Sequence, residues 1–162
     1  MDTVIPKPFP DFPDHAWLQS ELLQACPLER KLLESAAETA YHRNIAWHDI
    51  LESCDGNVVG VELRKERLEQ YALILHDPSE PGRFRAQFYD ARGFFGHITR
   101  DTPWDVLHEV VCDGFQKIAN GALLTLSKTD AWERGSLVTN LIAEVNQGRI
   151  TYDDLLVQLK QA

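Results

Sequence analysis

Cysteine is scarce in this 162-residue chain: Cys26, Cys54 and Cys112 make an odd number and no CxxC pair. That count argues against both a disulfide framework and a zinc ribbon. Long apolar runs are missing too, with nothing near the ~18 consecutive apolar residues of a membrane span. The first ten residues, MDTVIPKPFP, place prolines where a signal peptide has its apolar segment, so a cytoplasmic location is expected. The nine glycines form neither GxGxxG nor GxxxxGKS/T, which leaves nucleotide-phosphate binding without support. No repeat or linker splits the chain. What is present is a composition 44% hydrophobic and 25% charged, too apolar for disorder and too charged for a membrane protein. At this length one domain is expected.

Bases are outnumbered, 16 against 25 acids, for a net charge of −9. Residues 1–55 carry a net −6, residues 56–100 a net +1 and residues 101–162 a net −4. Such a surface repels phosphate, so nucleic acid is disfavoured as a partner. The basic stretch (Arg64, Lys65, Arg67, Arg83, Arg85, Arg92, Arg100) suits strand rims, where charge guards sheet edges, unless it gathers into one patch. Imitation of a nucleic-acid backbone by the acids is a minor reading, since Arg30, Lys31 and Arg43 interrupt them.

The pattern along the chain predicts an α+β domain over residues 14–162, preceded by an extended arm at 1–13. In VIPKPFPDFP (residues 4–13), four prolines hold the arm extended and present Phe9 and Phe12, either to the domain's own body or to a partner. A short helix after Asp14 carries Trp17, Leu18, Leu22 and Ala25 on one face. A long helix from Pro27 to about Ser53 follows, with a stripe through Leu28, Leu32, Leu33, Tyr41, Ile45 and Leu51. Ala36, Ala37 and Ala40 thin that stripe and admit close approach by another element. Cys54-Asp55-Gly56-Asn57 stops the helix. Residues 58–69 read two ways, VVGVEL as a short strand and ELRKERLEQ as a helical turn, and a helix is expected at about 61–69.

Three strands at about 70–76, 83–89 and 94–99 form an antiparallel meander. Phe84, Ala86 and Phe88 alternate with Arg83, Arg85 and Gln87, the period of a half-buried strand. Thr102-Pro103-Trp104-Asp105 opens the next helix as a capped start. Residues 122–126 read as a short strand or buried turn. Asp130 and Glu133 suggest a helical turn that Gly135 breaks, with Ser136 capping the helix beyond it. Thr151 and Asp154 start the last helix. The C-terminal helices are expected to cover one face of the sheet.

The segment YDARGFFGHITRDTPWDVLHEVVCDGF (89–115) resembles small accessory domains in proteins of conjugative plasmids and other mobile elements. It combines a turn, an aromatic strand and a capped helix over less than a third of the chain. The resemblance implies a mobile-element or phage context and brings no functional residues with it.

Chemistry has few places to gather. His108 and Cys112 lie four apart, suited to a shared metal or a thiolate–imidazole pair, yet Trp104, His108 and Cys112 also read as one row at the edge of a core. His42 and His48 are six apart and point away from each other on a helix. His97, Asp101 and His108 are the alternative acid–base set. Asp105, Glu109 and Asp113 form a second row, expected on the opposite side of the same helix, and make an acidic docking ridge for a basic partner. No metal or cofactor is expected. One or more of the four tryptophans suits an interface. The leading expectation is therefore a non-enzymatic acidic protein-binding domain, or small inhibitor or adaptor, that occupies a partner's basic surface through Asp105, Glu109 and Asp113, with Phe9 and Phe12 as further contacts. The alternatives are an enzyme using His97, Asp101 and His108, and a homodimeric structural protein that buries its exposed sheet or the alanine-lined helix face.

Overall fold

Turn chemistry sets the centre of the molecule. Asp77 to Gly82 and Asp90 to Gly93 reverse the chain between runs of β-type residues, and Gly93 takes φ +114°, a conformation that side chains resist. The result in this computed structural model, which describes residues 15–161, is β2 (Tyr71–His76), β3 (Phe84–Asp90) and β4 (Gly93–Arg100), paired antiparallel as expected. The arm with Phe9 and Phe12 lies outside the described residues.

Among the described residues the sheet has five strands, not three. β1 (Glu62–Lys65) and β5 (Phe115–Ile118) extend it in the order β4-β3-β2-β1-β5, antiparallel throughout. The helix expected at 61–69 is thus replaced by a strand and a turn. Leu63 is fully buried between Ala72 on β2 and Ile118 on β5; pairing on both sides overrides the helical preference of a charged run.

Helices α1 (His15–Gln24) and α2 (Pro27–Ser53) form the N-terminal pair. The Glu29 carboxylate accepts the Cys26 backbone N–H at 2.9 Å at the start of α2. α3 (Pro103–Cys112) starts at Thr102, whose side chain accepts the Asp105 N–H at 3.1 Å. α4 (Ala122–Leu126) takes the place of the short strand or turn expected there. α5 (Asp130–Asn146) is capped by Thr129, not Ser136, and runs unbroken through Gly135. A Cβ at Gly135 would collide with the Arg92 carbonyl, so this glycine lets the helix lie directly on the β3–β4 turn. α6 (Tyr152–Gln161) begins with the expected Thr151–Asp154 capping pair.

One sheet face carries Leu63, Ala72, Ile74 and Ala86 against Val106, Leu107, Val110 and Val111 of α3, with Trp47 and Ile50 of α2 completing the core. The C-terminal helices do not all share that face. On the other side, Tyr89 is buried against Tyr71 (ring centroids 5.3 Å) and against Trp132 of α5 (6.1 Å). At the far end of the same side, the buried Asp77 binds Arg85 and Thr99.

Candidate functional site

An α-helix turns 3.6 residues per cycle and rises 1.5 Å per residue, so the 27 residues of α2 span ~40 Å. Residues 28, 32, 36, 39, 43, 46 and 50 recur at steps of four or three residues and share one face. At its C-terminal end this face is core, with Ala46 buried and Ile50 fully so. Arg43 marks the boundary, donating from Nη2 to the Cys112 carbonyl at 2.9 Å and tying α2 to the last turn of α3. Upstream, the same stripe faces solvent: Leu28 is 70% exposed and Leu32 64%, with Ala36 and Thr39 also exposed. No residue from Pro27 to Ile45 is fully buried.

α1 packs along one flank of this half of α2, with Leu18 and Leu22 half-buried. Trp17 and Leu23 stay exposed, so the apolar face expected for α1 holds Leu18 and Leu22 but not Trp17. A groove of ≈390 Å³ runs between the two helices, lined by Glu21, Gln24, Ala25, Glu29, Leu32 and Leu33. The Cys26 backbone N–H holds the Glu29 carboxyl below its ordinary range. The other flank of the stripe carries Lys31 and Glu38, one heptad apart, with His42 Nε2 3.9 Å from Glu38. The arm from residue 15 to 45 holds Glu21, Glu29, Glu34 and Glu38 against Arg30, Lys31 and Arg43, a net charge of −1 with His neutral.

The acidic row on α3 has partners of its own. Asp105 accepts the Thr102 hydroxyl at 2.6 Å, Glu109 accepts Arg100 Nε at 2.6 Å, and Asp113 lies 3.4 Å from Lys65 Nζ. This row adjoins the His108 row instead of opposing it, since one residue of offset is ~100° of rotation. Within the basic stretch Arg83 pairs with Glu80 and Asp101, Arg85 with Asp77, and Arg92 with Asp90.

His97, Asp101 and His108 are not brought to one place. Ile98 packs against the core cluster that includes α3. Strand alternation therefore puts the exposed His97 on the opposite sheet face from His108. The Asp101 carboxylate accepts Arg83 Nε at 2.9 Å. His108 instead neighbours Cys112, with Nε2 3.7 Å from Sγ, at the half-buried edge of the core. Among the described residues, no three His, Cys, Asp or Glu side chains are placed to hold a metal ion, and no helix is long and apolar enough to cross a membrane.

Sequence reasoning included Leu28 and Leu32 in the α2 stripe but could not tell its buried half from its exposed half. The available signal was the thinning of the stripe at Ala36, Ala37 and Ala40. Comparison with protein-family models, with curated proteins and with solved structures returned no match.

Proposed function

We propose that the chain is a non-enzymatic protein-binding module, an adaptor or inhibitor that works by docking, and that the docking surface is the exposed half of the α2 stripe on the α1/α2 arm. One observation carries this reading: a single helix face is core at Ile50 and open to solvent at Leu28 and Leu32. Exposed apolar helix faces of this kind are what helix-in-groove and helix-on-helix partners cover. The ridge of Asp105, Glu109 and Asp113, first expected to bind a basic surface, supports docking less well, because Glu109 and Asp113 already pair with Arg100 and Lys65 and Asp105 accepts the Thr102 hydroxyl. The enzyme alternative draws no support from His97, Asp101 and His108, which face different parts of the molecule. A mobile-element or phage context rests on the resemblance of residues 89–115 alone.

The test is a photo-crosslinking amino acid placed at position 32, with position 153 on α6 as control, in full-length protein made in its own cells. A protein adduct is expected from position 32 and not from position 153. No adduct from position 32 overturns the reading.

A further inference from the structure

The exposed stripe is graded in two properties along its length. In size it runs from large to small, Leu28 and Leu32 first and then Ser35, Ala36 and Thr39. In charge its open flank runs from positive to negative, Lys31 first and Glu38 seven residues later. Seven residues bring the chain back to the same heptad position, so both charges border the same side of the stripe. The opposite flank is taken by α1.

These gradients define the shape of a complement. A covering helix must be small where α2 is large, and acidic where α2 is basic. The same stripe running the other way meets both conditions. Equivalent flanks face each other in an antiparallel helix pair, and a two-fold axis makes each contact occur twice. With that axis near residues 34 and 35, Leu28 and Leu32 of one copy lie over Ala36 and Thr39 of the other. Lys31 of each then faces Glu38 of its mate. A parallel pair would set leucine on leucine and small on small, leaving a void at one end.

Charge on the whole molecule points the same way. The chain carries −9, which opposes self-association in most orientations. The arm carries only −1 and is therefore a segment through which two copies can approach with little repulsion. In the antiparallel arrangement the two bodies lie at opposite ends of the paired arms.

We propose that the partner of the α1/α2 arm is a second copy of this chain, joined as an antiparallel four-helix bundle through Leu28, Leu32, Ala36 and Thr39 with Lys31–Glu38 pairs on its rim. This rests on the docking reading above and names its occupant.

Light scattering over a concentration series of the full chain tests it. A dimer is expected, and Leu32→Glu should give a folded monomer with unchanged far-UV circular dichroism. Lys31→Glu should weaken the dimer by about tenfold through like-charge contacts, and adding Glu38→Lys to that variant should restore it. A dimer indifferent to Lys31→Glu, or one not rescued by Glu38→Lys, overturns the proposal. So does a chain that stays monomeric at all concentrations. In that case the crosslinker at position 32 separates the two readings. An adduct with a different protein leaves the docking reading standing and removes only the dimer. An intramolecular adduct with residues 1–13, or no adduct, removes both.

Discussion

Arg85 grips Asp77 with two hydrogen bonds, Nε to Oδ2 and Nη2 to Oδ1, each 3.0 Å long. The Asp77 side chain is wholly buried, and it also accepts the Thr99 hydroxyl at 2.6 Å and the backbone N–H groups of Ser79 and Glu80. One carboxylate thus joins three strands and folds the β2–β3 loop around itself. The Thr99 hydroxyl first, then the Ser79 N–H and Arg85, hold its carboxyl well below the usual carboxylate range.

Stability should therefore depend on acid through Asp77. A carboxyl whose folded pKa is depressed stabilises the fold above its unfolded pKa, about 4, and loses that contribution as the pH falls through the lower folded value. Thermal melts between pH 7 and pH 2 should show Tm falling below about pH 4. Asp77→Asn should melt several degrees lower at neutral pH and show a shallower acid dependence, because Arg85 is left without its counter-charge. An Asp77→Asn variant with the wild-type acid profile would contradict this.

Tyr89 titrates in the opposite sense. Burial first, then its hydrogen bond to Glu62 (2.7 Å) and the charge on that carboxylate, push its phenol far above the ordinary tyrosine range. A raised pKa means that the stabilisation is full below the unfolded pKa, about 10, and is lost as the pH climbs towards the folded value. Absorbance titration should show one tyrosine silent until the protein unfolds in alkali. Tyr89→Phe should abolish that silent fraction and cost about 1 kcal/mol in urea melts. Glu62 would still accept the Leu123 N–H at 2.8 Å.

Gly135→Ala is a small change in a helix, where alanine is normally favoured by up to ~1 kcal/mol. Here the added methyl would fall on the Arg92 carbonyl. The expected result is destabilisation of roughly 1–3 kcal/mol, the usual cost of overpacking. Denaturant melts decide it, and a stabilised variant would mean that α5 does not lie on the β3–β4 turn.

The two halves of the α2 stripe should respond differently to truncation. Ile50→Ala removes a fully buried side chain and should cost 2–5 kcal/mol on the usual core scale (roughly). Leu28→Ala should cost about 0.5 kcal/mol or less, measured at protein concentrations low enough to keep the chain monomeric. Comparable losses at both sites would show that the upstream half is packed inside the same molecule.

Local chemistry was legible in the residues. Pro27 and the Cys54–Gly56 turn bound α2 as expected, Thr102-Pro103 opens α3, and the Phe84-Ala86-Phe88 alternation marks the strand that pairs with β2 and β4. Each is a contact within a few residues or across a short turn, so the pattern that creates it lies in one window of the chain. Asp105, Glu109 and Asp113 were legible as a row, but their partners Arg100 and Lys65 come from strands, and only the fold brings them near.

The sequence alone determined where α2 begins and ends, where α3 and α6 begin, and where the β2–β3 and β3–β4 hairpins turn, because caps, prolines and turn residues act on their immediate neighbours. Tertiary structure decided that Glu62–Lys65 is a strand, since its β5 partner is fifty or more residues away. It also decided which end of the α2 stripe is covered. Leu32 and Ile50 occupy the same helical face and are equally apolar. They differ only in whether the sheet and α3 reach them, and burial is a property of what the rest of the chain places alongside.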